Sequence, residues 1–224
     1  MKIGMLIAIE RELKAFIQHG TEIKEEIINR RTVYCTRIGS HEVFALCSGC
    51  GETDAAAGTQ LLITACGCEC VINFGVVGAL VPGLRVEDLF LVRKVCAYGY
   101  DTSAIDAVKK HQYVEFKDEY IPFDEELFEK ARAVMPELKE AVAASGDQFI
   151  EDQGEKRELA ALGCNICDME AAAIARVCFL NGVPALSVKC ISDTFEGDGG
   201  DFAANVERSA EKAFKVILRL LEGM

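Results

Sequence analysis

Continuous apolar runs alternate with segments of helical periodicity along most of the chain. The first run, "KIGMLIAI", predicts a buried strand, and "ERELKAFIQHG" after it carries Leu13, Phe16 and Ile17 at helical spacing. "CVINFGVVGAL" and "VPALSVKCISD" predict two further buried strands, and "DFAANVERSAEKAFKVILRLLEG" predicts a long amphipathic helix. Strands that alternate with helices predict an α/β fold, a three-layer α/β/α sandwich with a mixed, largely parallel central sheet.

The remaining segments complete this pattern. "RTVYCTRIG" and "HEVFALCSG" predict two strands joined by a turn near Ser40, and "TDAAAGTQLLITAC" predicts a helix capped by Thr53 or Asp54. "DEELFEKARAVM" predicts another helix, whereas residues 101–118 are polar and irregular. Because no linker rich in Ser, Gly or Pro interrupts the sequence, we expect residues 1–224 to form a single domain.

Polar side chains follow three of the predicted strands. In twisted, largely parallel sheets, ligands bind at the carboxyl ends of the strands. Acids at one strand end are ordinary, but acids at three strand ends predict a pocket at this edge. These strand-end residues are Glu10, Glu12, Asp168, Glu170, Ser192 and Asp193.

The charge balance excludes some classes of partner. The chain has 24 basic and 36 acidic residues, a net charge of -12, and no basic cluster. Such a chain is a poor ligand for nucleic-acid backbone or anionic membrane. The apolar run from Ile3 to Ile9 is too short to span a bilayer and lacks a signal-peptide cleavage pattern. We therefore predict a cytoplasmic protein that binds neither nucleic acid nor membrane.

Eleven cysteines include two CxxC pairs, Cys47/Cys50 and Cys164/Cys167. Two such pairs can form a tetrahedral zinc site, which leaves a zinc or redox protein as one alternative. However, more than a hundred residues separate the pairs, against roughly 15–20 in the usual zinc pattern. Packed free thiols are the favoured interpretation. We predict no metal and no cofactor.

Six segments occur in an order that is similar to a known family: "MKIGMLIAIERE", "SGCGETDAAAGT", "VINFGVVGAL", "SGDQFI", "DMEAAAIARVC" and "VPALSVKCISD". Together they resemble the nucleoside phosphorylase superfamily, and within it the 5'-methylthioadenosine/S-adenosylhomocysteine nucleosidases. The resemblance spans nearly the whole chain and is weak only between residues 101 and 118. It implies a nucleoside phosphorylase-like fold and an enzyme that hydrolyses the N-ribosyl bond of a purine nucleoside to release adenine.

The resemblance also implies roles for three acids. The glutamate that matches Glu12 orients and activates water, and the aspartate that matches Asp193 protonates N7 of the purine. The glutamate that matches Glu170 accepts hydrogen bonds from ribose hydroxyls. This division of labour suits an oxocarbenium-like transition state with a departing base, as in an inverting glycosidase.

Five further positions are implied to contact the substrate. The residue that matches Met169 packs beside the sugar, the aromatic that matches Phe149 stacks on the base, and the backbone at Ile150 bonds the edge of the base. Ser192 and Val76 lie in matched motifs and belong to the same predicted set, although Val76 replaces a serine that is common in the nucleosidases.

Each of these residues also has a purely structural interpretation. Glu12 can be a solvated first-turn acid, and Phe149 can be an ordinary core residue. Asp168 and Glu170 can both stabilise the start of the alanine-rich helix that follows them. We favour sugar binding for Glu170 and helix-end support for Asp168.

Alternatives to the nucleosidase remain. Phosphorylases of this superfamily bind phosphate with arginines and a hydroxyl, but here Asn73 and Val76 occupy the matching positions, which favours hydrolysis by water. Lys189 replaces the usual arginine of the last motif, and lysine lacks a bidentate fork. Since residues 101–118 diverge, a nucleoside hydrolase with a different 5' substituent stays open, as does a nucleoside-binding sensor. The resemblance implies a homodimer.

Overall fold

The computed structural model describes residues 1–223. This part of the chain contains ten strands and six helices. In chain order they are β1 (Lys2–Ile7), α1 (Glu10–His19), β2 (Lys24–Ile28), β3 (Arg31–Ile38), β4 (His41–Cys47), α2 (Glu52–Thr64), β5 (Cys70–Ala79), β6 (Leu89–Ala97), β7 (Ile121–Pro122), α3 (Glu125–Val134), β8 (Lys139–Ser145), α4 (Gln153–Ala161), β9 (Ile166–Asp168), α5 (Ala171–Asn181), β10 (Ala185–Asp193) and α6 (Gly199–Gly223).

All ten strands belong to one mixed sheet, which confirms the predicted α/β class. Strand β5 pairs in parallel with both β1 and β10, while β10, β6, β8, β9 and β5 follow one another around a closed ring. Strands β1, β4, β3 and β2 extend the sheet outward from this ring. Five of the ten pairings are parallel and five are antiparallel. The share of antiparallel pairings is therefore larger than predicted. The β2–β3–β4 meander and the pairing of the short strand β9 with β5 add antiparallel pairings.

Helices cover both faces of the sheet. Side chains of β5 alternate between two cores: Val71 and Val77 pack on the α2/α5 side, and Ile72 and Phe74 pack on the side of α1, α3 and α6. The period-two alternation of a strand places successive side chains on opposite faces. A smaller third cluster lies beneath α4, around Leu159.

Two elements do not follow from the apolar pattern. Strand β2, "KEEII", is largely exposed, and α4 is a charged helix with little apolar periodicity. The predicted cap of α2 is wrong: its N-cap is Gly51, with φ of 99°, and the carboxylate of Asp147 accepts the Glu52 N–H at 2.7 Å. A cap supplied from a loop about a hundred residues away leaves no local sequence signal.

The irregular segment predicted at residues 101–118 contains no helix or strand. It is held against α5 by side chains. The ring of Tyr113 stacks on that of Tyr100 at 3.8 Å, and Arg176 of α5 pairs with Glu115 at 2.7 Å. Among residues 1–223, no helix combines the length and the apolar character that a membrane span requires.

Candidate active site

A cavity of about 820 Å³ opens at the carboxyl ends of β1, β4, β5 and β10, where ligands bind in sheets of this kind. Seven of the eight predicted site residues line it. The exception is Ile150, whose side chain is buried in the cluster beneath α4. The seven are Glu12, Val76, Phe149, Met169, Glu170, Ser192 and Asp193.

Glu12 lies in the first turn of α1, and backbone N–H groups outside that helix hold its carboxylate. Its side chain is only 3% exposed. Oε1 accepts the Val76 N–H at 2.7 Å, and Oε2 accepts the N–H groups of Ala8 and Ile9 at 3.3 Å each. Burial raises the pKa of Glu12, while Lys189 and these backbone donors oppose the rise. Glu12 is therefore not a solvated helix acid but a fixed carboxylate at the cavity wall.

Asp193 ends β10 and is 2% exposed. The hydroxyl of Ser192 lies 2.8 Å from Asp193 Oδ1 and donates to it. Burial raises the pKa of Asp193, and the Ser192 hydroxyl and the Lys156 ammonium oppose that rise. An aspartate with a raised pKa keeps its proton to higher pH, as a general acid requires. Because the Ser192 hydroxyl donates to Asp193, it helps to orient the Asp193 carboxyl group.

The two carboxylates at the start of α5 have different surroundings. Asp168 Oδ1 accepts the Ala171 N–H at 3.2 Å, and Oδ2 pairs with Lys189 Nζ at 2.7 Å. Asp168 therefore supports the helix end, as predicted. Glu170 makes no cap bond within α5; instead Oε1 accepts the Gly51 N–H at 2.9 Å. Burial, with the nearby Asp168, raises the pKa of Glu170 to about 7.

Lys189 lies buried beneath these acids, at the position where the family resemblance predicts an arginine. Burial alone lowers the pKa of Lys189, but the carboxylates of Asp168, Glu170 and Glu12 outweigh burial and raise it. The lysine ammonium therefore remains charged and partly neutralises the acids around it. A single ion pair with Asp168 replaces the bidentate contact that an arginine would make.

Lys156 of α4 is a site residue that the sequence does not reveal. Its side chain is 0% exposed. Nζ donates to the backbone carbonyls of Thr194 at 3.0 Å, Phe195 at 3.2 Å and Gly197 at 3.0 Å. These carbonyls belong to the loop that directly follows Asp193. The lysine thus fixes the loop, and it brings a positive charge close enough to act on Asp193.

The aromatic wall of the cavity contains two rings. Phe149 is 41% exposed and meets Phe202 of α6 edge to face, with ring centroids 5.5 Å apart. Phe149 is therefore not an ordinary core residue. The guanidinium of Arg11 lies over the other ring, 5.3 Å from its centroid. Phe202 and Arg11 both line the cavity, although the family resemblance implies no role for either residue.

The cysteines do not form a metal centre in this structure. Within residues 1–223, no group of three or more His, Cys, Asp or Glu side chains has metal-binding geometry. Cys47, Cys50 and Cys167 line the cavity, whereas Cys164 packs in the cluster beneath α4. Burial raises the pKa of Cys47 to about 11 and that of Cys167 to about 12, so these thiols stay protonated. Neutral thiols are poor metal ligands and poor nucleophiles.

Two glycines of β5 leave room for the acids. A Cβ at Gly75 would lie 2.5 Å from Glu12 Oε1, and a Cβ at Gly78 would lie 2.8 Å from Asp193 Oδ2. Both distances are far shorter than van der Waals contact. The strand "NFGVVGA" therefore carries glycine where a carboxylate must approach the backbone closely.

Gly75→Ala should displace the Glu12 carboxylate and break its bond to the Val76 N–H. We expect activity to fall about a hundredfold, the lower range for loss of one acid–base group, while the fold persists. Steady-state kinetics with circular dichroism would measure both. The matched control is Gly99→Ala, because nothing lies within 4 Å of a Cβ there. Equal activity in the two variants would show that Glu12 does not need this space.

Comparison with known proteins identifies the family. The family model described as "Phosphorylase superfamily" matches residues 2–222. The chain belongs to the phosphorylase superfamily. Within that superfamily, the 5'-methylthioadenosine/S-adenosylhomocysteine nucleosidase of Geobacillus thermodenitrificans is 31% identical over 235 aligned positions, which cover 99% of this chain and 96% of the relative.

Two further proteins that are similar to this chain come from Helicobacter pylori. An aminodeoxyfutalosine nucleosidase is 28% identical, over 99% of this chain and 98% of the relative. A crystal structure of a 5'-methylthioadenosine/S-adenosylhomocysteine nucleosidase, complexed with a 4-amino-pyrrolopyrimidine joined to a pyrrolidinol, superposes with a TM-score of 0.93. It is 27% identical and covers 100% of this chain and 99% of that chain. The family and fold implied by the six sequence segments are confirmed.

Proposed function

We propose that the protein is a purine nucleosidase that hydrolyses the N-ribosyl bond of 5'-substituted adenine nucleosides, such as methylthioadenosine or adenosylhomocysteine, and releases adenine. One observation carries the proposal. Glu12, Glu170 and Asp193, from distant parts of the chain, line a single cavity together with the exposed ring of Phe149. Relatives that cover nearly the whole chain are named as nucleosidases, which supports the same reaction class.

Asp193 supplies the proton in this mechanism. N7 of the purine accepts it, so that adenine leaves as a neutral base while positive charge develops on the sugar. Burial favours the protonated form of Asp193 before the reaction. After transfer, the Lys156 charge and the Ser192 hydroxyl stabilise the carboxylate that remains.

Glu12 and Glu170 act on the sugar side. Glu12 takes a proton from the attacking water, since its carboxylate is fixed by three backbone donors and cannot turn away from the cavity. Glu170 accepts hydrogen bonds from the ribose hydroxyls, and Met169 packs beside the sugar. The ring of Phe149 stacks on the base, and the backbone at Ile150 bonds its edge. Val76 contributes to the wall behind the water.

The charges of the cavity favour water over phosphate as the nucleophile. Five of the six charged side chains that line it are acidic, and those that are ionised would repel a phosphate dianion. Asn73 offers no phosphate contact, since its side chain is buried between the Leu6 carbonyl, at 3.2 Å, and the Ser187 hydroxyl, at 3.1 Å. The Val76 N–H is already bonded to Glu12.

A panel of purine nucleosides assayed with and without phosphate tests the proposal. We expect the purified protein to release adenine from methylthioadenosine or adenosylhomocysteine in phosphate-free buffer, together with the free sugar. Turnover that requires phosphate and yields a sugar 1-phosphate would identify a phosphorylase. Tight nucleoside binding without any turnover would identify a nucleoside-binding sensor.

The predicted homodimer and cytoplasmic location belong to this proposal. Several large apolar side chains of the segment 101–118 and of α5 face solvent in the single chain, as a partner surface would require. They are Ile105, Val114, Phe179 and Leu180. Sedimentation equilibrium would show whether the protein is a dimer in solution.

A further inference from the structure

The cavity contains one cationic side chain among several acids. Its charged lining residues are Glu10, Arg11, Glu12, Asp168, Glu170 and Asp193. The acids at positions 12, 170 and 193 have roles in the proposed reaction, and Asp168 is paired with Lys189. None of these roles involves Arg11.

Arg11 is not held by an ion pair. Within residues 1–223, every salt bridge involves other residues. The guanidinium lies over the Phe202 ring and donates a hydrogen bond from Nη1 to the carbonyl of Ala203, at 3.4 Å. Most of its five N–H donors are therefore available to a ligand in the cavity.

The position of Arg11 is also unfavourable for the helix. It is the second residue of α1, and the positive end of the helix dipole disfavours a cation in the first turn. An acid at this position would favour the helix, as Glu10 and Glu12 beside it do. A guanidinium placed here at some cost to the helix, and left without a carboxylate, suits ligand binding.

The part of the substrate that faces Arg11 follows by elimination. In the proposed function, Asp193 and Phe149 contact the base, and Glu12 and Glu170 contact the water and the ribose. The wall formed by Arg11 and Phe202 is then left for the 5' substituent. A cavity of about 820 Å³ is large for a nucleoside alone and has room for an extended substituent.

We propose that Arg11 binds a carboxylate at the end of the substrate's 5' substituent, so that the preferred substrates are adenine nucleosides with an acidic 5' chain. The inference rests on the proposed nucleosidase function. Arginine suits this task because its planar fork binds a carboxylate through two parallel hydrogen bonds, and the Phe202 ring orients the fork. Inorganic phosphate shares this oxyanion chemistry, so the test separates the two.

The test compares two ligands of nearly the same shape that differ in the terminal group: 5'-deoxy-5'-(3-carboxypropylthio)adenosine, which ends in a carboxylate, and its neutral carboxamide. We expect the wild-type protein to bind the acid more tightly than the amide and to hydrolyse it with the lower KM. In Arg11→Gln, the preference for the acid should fall about tenfold, the worth of a charge-assisted hydrogen bond. Arg11→Lys should keep part of the preference, since it retains the charge without the fork.

Binding titrations with the same pair make the outcome independent of turnover. If the wild-type protein binds the acid and the amide equally, or if Arg11→Gln leaves their ratio unchanged, Arg11 does not recognise the carboxylate. Phosphate-dependent turnover whose KM for phosphate rises in Arg11→Gln, with the ratio of acid to amide unchanged, would instead assign Arg11 to phosphate. Arg208→Gln is the control, because Arg208 is exposed and pairs with Glu87 outside the cavity. Selective acid binding without hydrolysis would refute the nucleosidase while supporting the role of Arg11.

Discussion

Replacing Asp193 by asparagine is expected to lower kcat for adenine release by about a thousandfold, within the range for loss of a general acid. Asparagine has almost the same shape and can still accept the Ser192 hydroxyl bond, but it has no proton to give to the purine. The fold should not suffer. Burial disfavours the ionised carboxylate, so at neutral pH the neutral asparagine should unfold at the same temperature as the wild type or higher. Stopped-time adenine assays and thermal melts would measure the two effects.

The pH dependence of kcat/KM is a second test of Asp193 as the general acid. Because the pKa of Asp193 is raised, wild-type kcat/KM should fall only at a pH above the ordinary titration range of an aspartate, and this limb should vanish in Asp193→Asn. Asp201→Asn is the matched control: Asp201 also raises the pKa of Asp193 but does not line the cavity. That variant should keep its activity and move the limb toward lower pH. Near-normal turnover in Asp193→Asn would remove Asp193 from the reaction.

Lys156→Met should destabilise the protein by about 3 kcal/mol. The change leaves the buried carbonyls of Phe195 and Gly197 without a donor, each worth about 1–3 kcal/mol, whereas the Thr194 carbonyl keeps the Gly197 N–H. The relief of removing a buried charge offsets part of the cost. Below its melting temperature the variant should also lose more than about tenfold in kcat, because the freed loop no longer holds Asp193. Chemical denaturation and kinetics at low temperature would separate the two losses.

Lys212→Met serves as the control for Lys156. Lys212 Nζ also donates to a backbone carbonyl, that of Glu87, at 3.0 Å, but its side chain is 43% exposed. Water can replace that bond, so the control should lose less than about 1 kcal/mol. The pH profile distinguishes a positioning role of Lys156 from a purely stabilising one. The basic limb of kcat/KM should shift to higher pH in Lys156→Met, because removal of the cation favours protonated Asp193. An unshifted limb would limit Lys156 to a structural role.

The sequence predicts the site residues that directly follow a recognisable strand. Glu12, Glu170 and Asp193 each follow a readable strand, and strand ends meet at one edge of a sheet, so their convergence on one cavity can be anticipated. The sequence predicts only in part that Asp168 supports the helix end whereas Glu170 lines the cavity without capping the helix. Their relation depends on Lys189 and on the N–H of Gly51, which come from elsewhere in the chain.

Other features depend on contacts between distant segments and leave no local signal. Lys156 lies in "GEKREL", which has the composition of a solvated helix, yet folding buries its ammonium against the loop after β10. The cap of α2 comes from Asp147 for the same reason. Arg11 lies between Glu10 and Glu12 in the sequence, and only the structure shows that it lines the cavity and that its guanidinium lies over the Phe202 ring.

The closed ring of strands has a consequence for how the enzyme is made. β5 pairs with β10, and the three acids of the proposed catalytic centre are residues 12, 170 and 193, so nearly the whole chain must leave the ribosome before that centre can form. Partly synthesised chains are consequently expected to have no nucleosidase activity. For the same reason, two fragments separated near residue 110 should show turnover only if they reassociate.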